Sequence, residues 1–466
     1  MKLLNDLILT FNDVLWTYIL IALLIIIGLY FTFKTKFVQF TNIKEMFRLL
    51  GDGAKSRDSK DTISSFQAFC ISTASRVGTG NLAGVATAIA MGGPGAIFWM
   101  WLIALIGSAS AFIESTLAQI YKEKDGSNFI GGPAYYMEKG LKKRWMGVVF
   151  SILITISFGL VFNSVQSNTI TLSLKNSFGF DTKIVGLILT ILTIIIIFGG
   201  VKRIADVSSV LVPIMAIAYI LVTLFIVLKN FSTIPSILLL IFENAFGINQ
   251  IVGGSIGAAL MQGIKRGLFS NEAGMGSAPN AAATATVSHP VNQGFIQTLG
   301  VFTDTLIICS CTAFIVLLSG IPLDGSIKGI ELTQLAVSSQ VGSWGNTFIS
   351  ICILLFAFSS IVGNYYYGEA NIQFITSKKI YLSIYRISVA LMVFFGSLVS
   401  MDIVWNLADL FMGLMAVINL IAIVLLSKIA FKALEDYTTQ KRAGIKDPVF
   451  KSSSIPELND EVTEWK

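Results

Sequence analysis

Long apolar runs separated by short polar and basic stretches fill most of the chain. A membrane-spanning helix needs roughly 20 consecutive apolar residues, and about eleven segments qualify. They are approximately 13–33, 63–91, 95–121, 146–172, 183–200, 206–228, 250–269, 291–319, 344–374, 380–399 and 403–430. The run from Val14 to Phe33 carries no charge at all. The stretch 235–247 is too short to span and is expected to lie at the interface. Ile43, Met46, Phe47 and Leu50 recur at helical spacing between basic residues, which predicts a short amphipathic surface helix. The polar, charged tail from about 435 is expected to be loosely ordered.

This pattern predicts an all-α polytopic membrane protein. The expected organisation is a peripheral N-terminal span (1–40), an amphipathic linker (41–62), five helices (63–230), five more (231–432) and a tail (433–466). Setting the first span aside, spans two to six match spans seven to eleven in number and run in opposite orientation. Basic residues cluster on one side of the spans, from Lys34 and Lys36 through Lys142, Lys143 and Arg144 to the C-terminal lysines. Only Lys2, Lys175, Lys183, Lys229 and Lys328 fall on the other. Such a bias marks the cytoplasmic side. It predicts a cell inner (plasma) membrane protein with its N-terminus outside and its C-terminus in the cytoplasm.

Composition agrees. The chain is 54% hydrophobic and 13% charged, whereas soluble domains are about a quarter charged. The net charge of +6 follows from topology, so nucleic-acid binding is not needed to explain it. Cys70, Cys309, Cys311 and Cys352 lie in apolar stretches without ligand spacing, and His289 is the single histidine. Zinc chemistry, a disulfide framework and histidine-based catalysis are therefore not expected. No P-loop element and no metal-binding cluster of histidines occur, so neither ATP hydrolysis nor an intramembrane metalloenzyme is indicated.

The second span is interrupted by Arg76-Val77-Gly78-Thr79-Gly80-Asn81. Glycine costs a helix about 1 kcal/mol per position relative to alanine. Backbone freed inside a membrane costs more unless it lines a cavity or binds something. A break exposes amides of one half-helix, which suit a carboxylate, and carbonyls of the other, which suit a cation. Close helix packing through small residues is the competing explanation. Span seven carries a second candidate break at Gly253-Gly254. Two such interruptions, one in each half, are the pattern of an inverted-repeat transporter.

Asn163, Ser164, Gln166, Ser167 and Asn168 crowd into span four, where Asn163, Gln166 and Ser167 share a face. Span nine holds Ser359 and Ser360, then Gly363-Asn364 and Glu369. Adjacent hydroxyls with freed carbonyls provide neutral oxygen ligands for a hard cation, and serines bonding back to their own helix are the alternative. Glu114, Asp304, Glu369 and Asp409 are acids in or near spans. Arg76 is expected to pair with one of them and help shape a gate.

Several blocks together resemble the alanine or glycine:cation symporter family, also called the sodium:alanine symporters. They are Val77-Gly78-Thr79-Gly80-Asn81-Leu82-Ala83-Gly84, Gly92-Gly93-Pro94-Gly95-Ala96, Glu114-Ser115-Thr116-Leu117-Ala118, Gly132-Pro133-Ala134-Tyr135-Tyr136 and Tyr366-Tyr367-Gly368-Glu369. The longest is Arg266-Gly267-Leu268-Phe269-Ser270-Asn271-Glu272-Ala273-Gly274-Met275-Gly276-Ser277-Ala278-Pro279. The resemblance implies a leucine-transporter-type fold of two inverted five-helix repeats with helices 2 and 7 broken. It implies sodium-coupled uptake of a small neutral amino acid, namely alanine, glycine or glutamine, without a cofactor or enzymatic activity. It further implies a sodium site from the carbonyls of Ala74, Val77 and Phe356 with Ser359 and Ser360. The implied substrate site is Thr79, Gly80, Asn81, Gln166, Gly253, Gly254 and Ser360, joined by Asn364. Many members of that family carry tryptophan where this chain has Asn364, which leaves more room and adds hydrogen bonding, favouring glutamine or another polar amino acid. The competing class is a passive channel, which needs a continuous pore rather than paired broken helices.

Overall fold

The computed structural model describes residues 2–55, 62–126, 128–198, 200–247, 256–458 and 462–465. Among them, eight helices are long and apolar enough to cross a membrane. They are α1 (Asp6–Lys34), α5 (Ala96–Ile120), α6 (Arg144–Phe178), α8 (Arg203–Lys229), α11 (Pro290–Leu318), α12 (Trp344–Ile375), α13 (Lys379–Gly396) and α14 (Met401–Arg442). Three of the expected spans take other forms. The second is divided into α3 (Ser65–Arg76) and α4 (Gly80–Gly92). The fifth is α7 (Thr182–Ile197), whose 16 residues give about 24 Å at 1.5 Å per residue. The seventh is represented by α10 (Ile256–Asn271), and its predicted break at Gly253-Gly254 lies outside the described residues.

The predicted amphipathic helix is α2 (Ile43–Lys55), with Met46 and Leu49 buried and Phe47 facing outward. The stretch expected at the interface forms the short apolar helix α9 (Phe231–Ala245). The all-α expectation needs one amendment. A small antiparallel hairpin, β1 (Glu123–Asp125) and β2 (Asn128–Ile130), follows α5 with Lys124 opposite Phe129. Gly126, at φ +62°, turns its corner.

The loosely ordered tail is a correction. Helix α14 runs on to Arg442 because Tyr437 packs on His289 and Phe295 and donates to Glu45 at 2.6 Å. Burial works to raise the Glu45 carboxyl, but Arg48, Tyr437 and Lys441 hold it down at about 2. Beyond the helix, Phe450, Ile455, Val462 and Trp465 are buried. The Trp465 indole donates to the Gln119 carbonyl at 2.9 Å, and Lys122 lies over both its ring and that of Phe129. Burial pushes the Lys122 ammonium down to about 7, with Glu464 opposing. Apolar residues spaced through a polar tail therefore anchor it against the end of α5.

Candidate functional site

The site grows out of the interruption between α3 and α4. Helix α3 starts at a capping box, in which Ser64 and Gln67 satisfy each other's backbone amides. It ends where Val77 turns extended, at φ −81° and ψ 93°. The Val77 amide still reaches the Thr73 carbonyl at 2.8 Å. The next two amides do not continue the ladder. Gly78 N–H donates to Asn81 Oδ1 and Thr79 N–H to Gln166 Oε1, each at 2.9 Å. The carbonyls left behind turn to α12. Ser360 Oγ donates toward the Ala74 carbonyl at 2.8 Å and lies 3.4 Å from that of Val77. It is also 3.0 Å from Phe356 O, where Ser359 Oγ donates at 2.8 Å.

The Gly78 and Thr79 amides and the Ala74 and Val77 carbonyls freed by the break thus meet polar side chains from the next turn or another segment, as buried backbone favours. Glycine is needed at 78 for space: a Cβ there would collide with Ser360 Oγ and lie 2.9 Å from Gln166 Oε1. A Cβ at Gly80 would lie 3.0 Å from the Phe269 ring.

The structure therefore brings together Ala74, Val77, Phe356, Ser359 and Ser360 as one group of oxygens. It places Thr79 and Gln166 in direct contact beside them. Asn81 is near but differently engaged, since its Nδ2 donates to Asp304 Oδ1 at 2.7 Å while its Oδ1 caps Gly78. Asn364 sits one turn along α12, where Ser75 Oγ lies 2.7 Å from its Oδ1 and its Nδ2 donates to Asn163 Oδ1 at 3.2 Å. Thr79, Asn81, Ser360 and Asn364 are completely buried. Of the remaining cluster on α6, Asn168 is glue to α13, donating to the Gly396 and Val399 carbonyls at 3.0 and 2.8 Å. Ser164 bonds back to its own helix at Val161.

The expected Arg76 ion pair is not formed among the described residues. Glu369 pairs with Arg386 at 3.1 Å and Asp409 with Arg266 at 2.5 Å. Glu114 accepts from Asn419 at 2.7 Å and from the Gly274 and Gly276 amides at 3.1 Å. Asp304 accepts from Asn81, Ser270 and Thr305. Each acid is thus already served by a nearer donor. Among the described residues, buried Arg76 reaches only the Gln297 carbonyl, at 3.5 Å, and its Nε and Nη2 have no partner.

Sequence reasoning missed Glu272 as an individual residue. It occupies a left-handed backbone position, φ +58°, in the glycine-containing turn after α10. Its Oε1 lies 2.7 Å from Ser75 Oγ, and its Oε2 accepts from Ser277 Oγ at 2.6 Å. The available signal was an acid without a basic neighbour in a short turn between two apolar runs. The structure adds a signal the sequence does not carry, π-helical turns. They occur at Gly80–Gly84, which contains Asn81, at Thr155–Phe162 before Asn163, at Phe302–Cys309 around Asp304, and also at Leu15–Leu20 away from the site.

The comparisons with known proteins place the chain in a family. The profile of the sodium:alanine symporter family matches residues 1–452. The chain is 61% identical over 439 residues to the probable sodium/glutamine symporter GlnT of Bacillus subtilis (strain 168), covering 94% of this chain and 91% of that one. It is 56% identical over 462 residues to the amino-acid carrier protein AlsT of the same organism, covering 99% and 98%. The crystal structure of MhsT in complex with L-phenylalanine superposes with a TM-score of 0.56 at 15% identity, over 81% of this chain and 98% of that one. That likeness shows a shared fold, the leucine-transporter type.

Proposed function

Since the chain belongs to the sodium:alanine symporter family and is a multi-pass membrane transporter rather than an enzyme, we propose that it takes glutamine, alanine or glycine into the cell with sodium by alternating access. Sodium-coupled amino-acid symport is the family-level activity. The observation that carries the finer reading is the division of labour at the break, with carbonyls and hydroxyls on one side and an amide–acceptor contact on the other.

On the cation side, the carbonyls of Ala74, Val77 and Phe356 with the hydroxyls of Ser359 and Ser360 form a neutral oxygen set, the ligand type a hard cation takes. Ser360 O–H now points at those carbonyls. When sodium is bound, the hydroxyl turns its lone pairs inward instead. On the substrate side, Gln166 Oε1 accepts from Thr79 N–H, as a substrate carboxylate oxygen would. Binding exchanges one acceptor for the other and frees the Gln166 amide to hold the substrate. Gly80 leaves room for close approach, while Asn81 fixes the turn. Gly253 and Gly254, which the resemblance adds to the substrate site, lie outside the described residues.

Glutamine leads the three substrates because Asn364 supplies a polar group where a large aromatic would close the pocket. GlnT, the 61% identical relative, is named for sodium and glutamine. The two inverted repeats, 63–230 and 231–432, rock about the site, with the N-terminus outside and the C-terminus in the cytoplasm. The test is sodium-gradient uptake of labelled glutamine in proteoliposomes, with unlabelled alanine, glycine and other amino acids as competitors. Accumulation above equilibrium that glutamine competes for best is expected. Accumulation with alanine or glycine as the strongest competitor would overturn the choice of substrate, and equilibration without accumulation would restore the passive channel.

A further inference from the structure

A count of hydrogens through one buried chain of side chains points to a site for a proton. The chain runs Gly159 carbonyl, Asn163, Asn364, Ser75, Glu272, Ser277. Its direction is set at one end. Asn163 lies 3.0 Å from the Gly159 carbonyl, an obligate acceptor, so Asn163 must present Nδ2 there and Oδ1 on its other side. Asn364 lies 3.2 Å from that Oδ1 and must present its own Nδ2 to it. The Asn364 Oδ1 then faces Ser75 Oγ at 2.7 Å and requires the Ser75 hydroxyl hydrogen. A hydroxyl has one hydrogen. Ser75 Oγ also stands 2.7 Å from Glu272 Oε1, and a carboxylate there would leave two acceptors in contact with no hydrogen between them. The missing hydrogen has to come from Glu272.

We propose that Glu272 is a proton-binding residue, protonated in this closed arrangement, and that its proton ties the half-helix α3 to the turn after α10. The inference rests on the cation site placed at the break, because Ser75 lies between Ala74 and Val77 on that half-helix. Losing the proton breaks either Ser75–Glu272 or Ser75–Asn364, and so loosens the segment that presents two cation-binding carbonyls. Proton occupancy and sodium affinity are thereby linked.

The other charged or titratable groups facing Glu272 come from each neighbouring element. Arg76 on α3 and Asp304 on α11 act on it through space, and Tyr367 on α12 lies close enough to feel its charge. Glu114 on α5 holds the same turn through the Gly274 and Gly276 amides. Tyr367 also reaches Ser75, but a hydroxyl there can give a hydrogen only to a lone pair of Ser75 Oγ and supplies none to the Ser75–Glu272 contact. Ser277 donates at 2.6 Å to the other oxygen, a bond that favours the ionised form. It opposes the proton and tunes where it leaves.

The test is the sodium concentration for half-maximal amino-acid uptake in proteoliposomes, measured at a series of equal internal and external pH values. Glu272→Gln keeps the geometry, since its amide donates to Ser75 and its carbonyl accepts from Ser277, but it cannot release the hydrogen. The wild type is expected to show a pH-dependent half-maximal sodium concentration, lost in Glu272→Gln. Ser277→Ala removes the bond that favours the carboxylate, and the step is expected to move to higher pH. A Glu272→Gln variant with the wild-type pH dependence, or a wild type whose sodium requirement ignores pH, overturns the proton site. If Glu272→Gln does not fold, an unmoved step in Ser277→Ala overturns it equally. Uptake that ignores sodium at every pH would instead defeat the symport reading itself.

Discussion

Removing the Ser360 hydroxyl is the sharpest perturbation of the cation site. Ser360 Oγ lies 2.8 Å from the Ala74 carbonyl, 3.0 Å from that of Phe356 and 3.4 Å from that of Val77. It is the one side-chain atom touching all three. Ser360→Ala deletes a neutral oxygen from the set and leaves the Ala74 carbonyl without its side-chain partner. A hydrogen-bond-strength contact to a charged species contributes about 1.5–3 kcal/mol. With about 1.4 kcal/mol per factor of ten, the half-maximal sodium concentration should rise about 10- to 150-fold. The assay is initial uptake against sodium concentration in proteoliposomes, with choline holding ionic strength constant. Ser360→Thr retains the oxygen and should recover most of the affinity. Asn168→Ala, which loses only contacts to the α13 backbone, should lower thermal stability without moving the sodium curve. A Ser360→Ala curve that superimposes on the wild type would show that these oxygens do not hold the ion.

Gly78→Ala pushes a methyl into Ser360 Oγ and Gln166 Oε1, and is expected to abolish uptake while the protein still elutes as a folded species on size-exclusion chromatography. Gln166→Ala removes the amide proposed to hold the substrate once Thr79 N–H has turned to the substrate carboxylate, and should raise the substrate concentration for half-maximal uptake about tenfold or more, with the sodium requirement changed far less. Trp465→Ala leaves a cavity against the end of α5 and should cost about 3 kcal/mol, read as a lower midpoint in thermal unfolding of the detergent-solubilised protein. Burial holds the His289 imidazole down to about 4 against the opposing pull of Asp436, while an unfolded chain takes up that proton near 6.5. The stability from keeping it neutral is complete above about pH 6.5 and is lost progressively as pH falls below it. His289→Gln should flatten that part of the midpoint-against-pH curve.

The spans were legible because lipid demands long apolar runs. The break was legible because two glycines flanking Thr79 have no other use in mid-membrane than close contact or freed backbone. The structure shows both at once, for Gly78 is needed for space and its neighbours' backbone is re-partnered. The residues of the proposed sodium site could be named from the resemblance, but their convergence depends on α12 packing against α3, which no local pattern encodes. Arg76 shows the opposite limit. Charge alone suggested a pairing, yet each acid had found a closer donor through the fold: Asn419 for Glu114, Asn81 for Asp304, Arg386 for Glu369 and Arg266 for Asp409. The ordered tail was hidden for a related reason, since isolated residues such as Phe450 and Trp465 have no periodicity and bury only against distant partners.

The three carbonyls that face Ser360 belong to the main chain, and this has a consequence for heredity. A codon change at position 74, 77 or 356 replaces a side chain but leaves the oxygen where it was, provided the interruption survives. Three of the five oxygens are therefore shielded from point mutation, whereas Gln166 and Asn364 are exposed to it. If the proposed sites hold, substitution can alter the choice of amino acid residue by residue while the cation site keeps its main-chain oxygens.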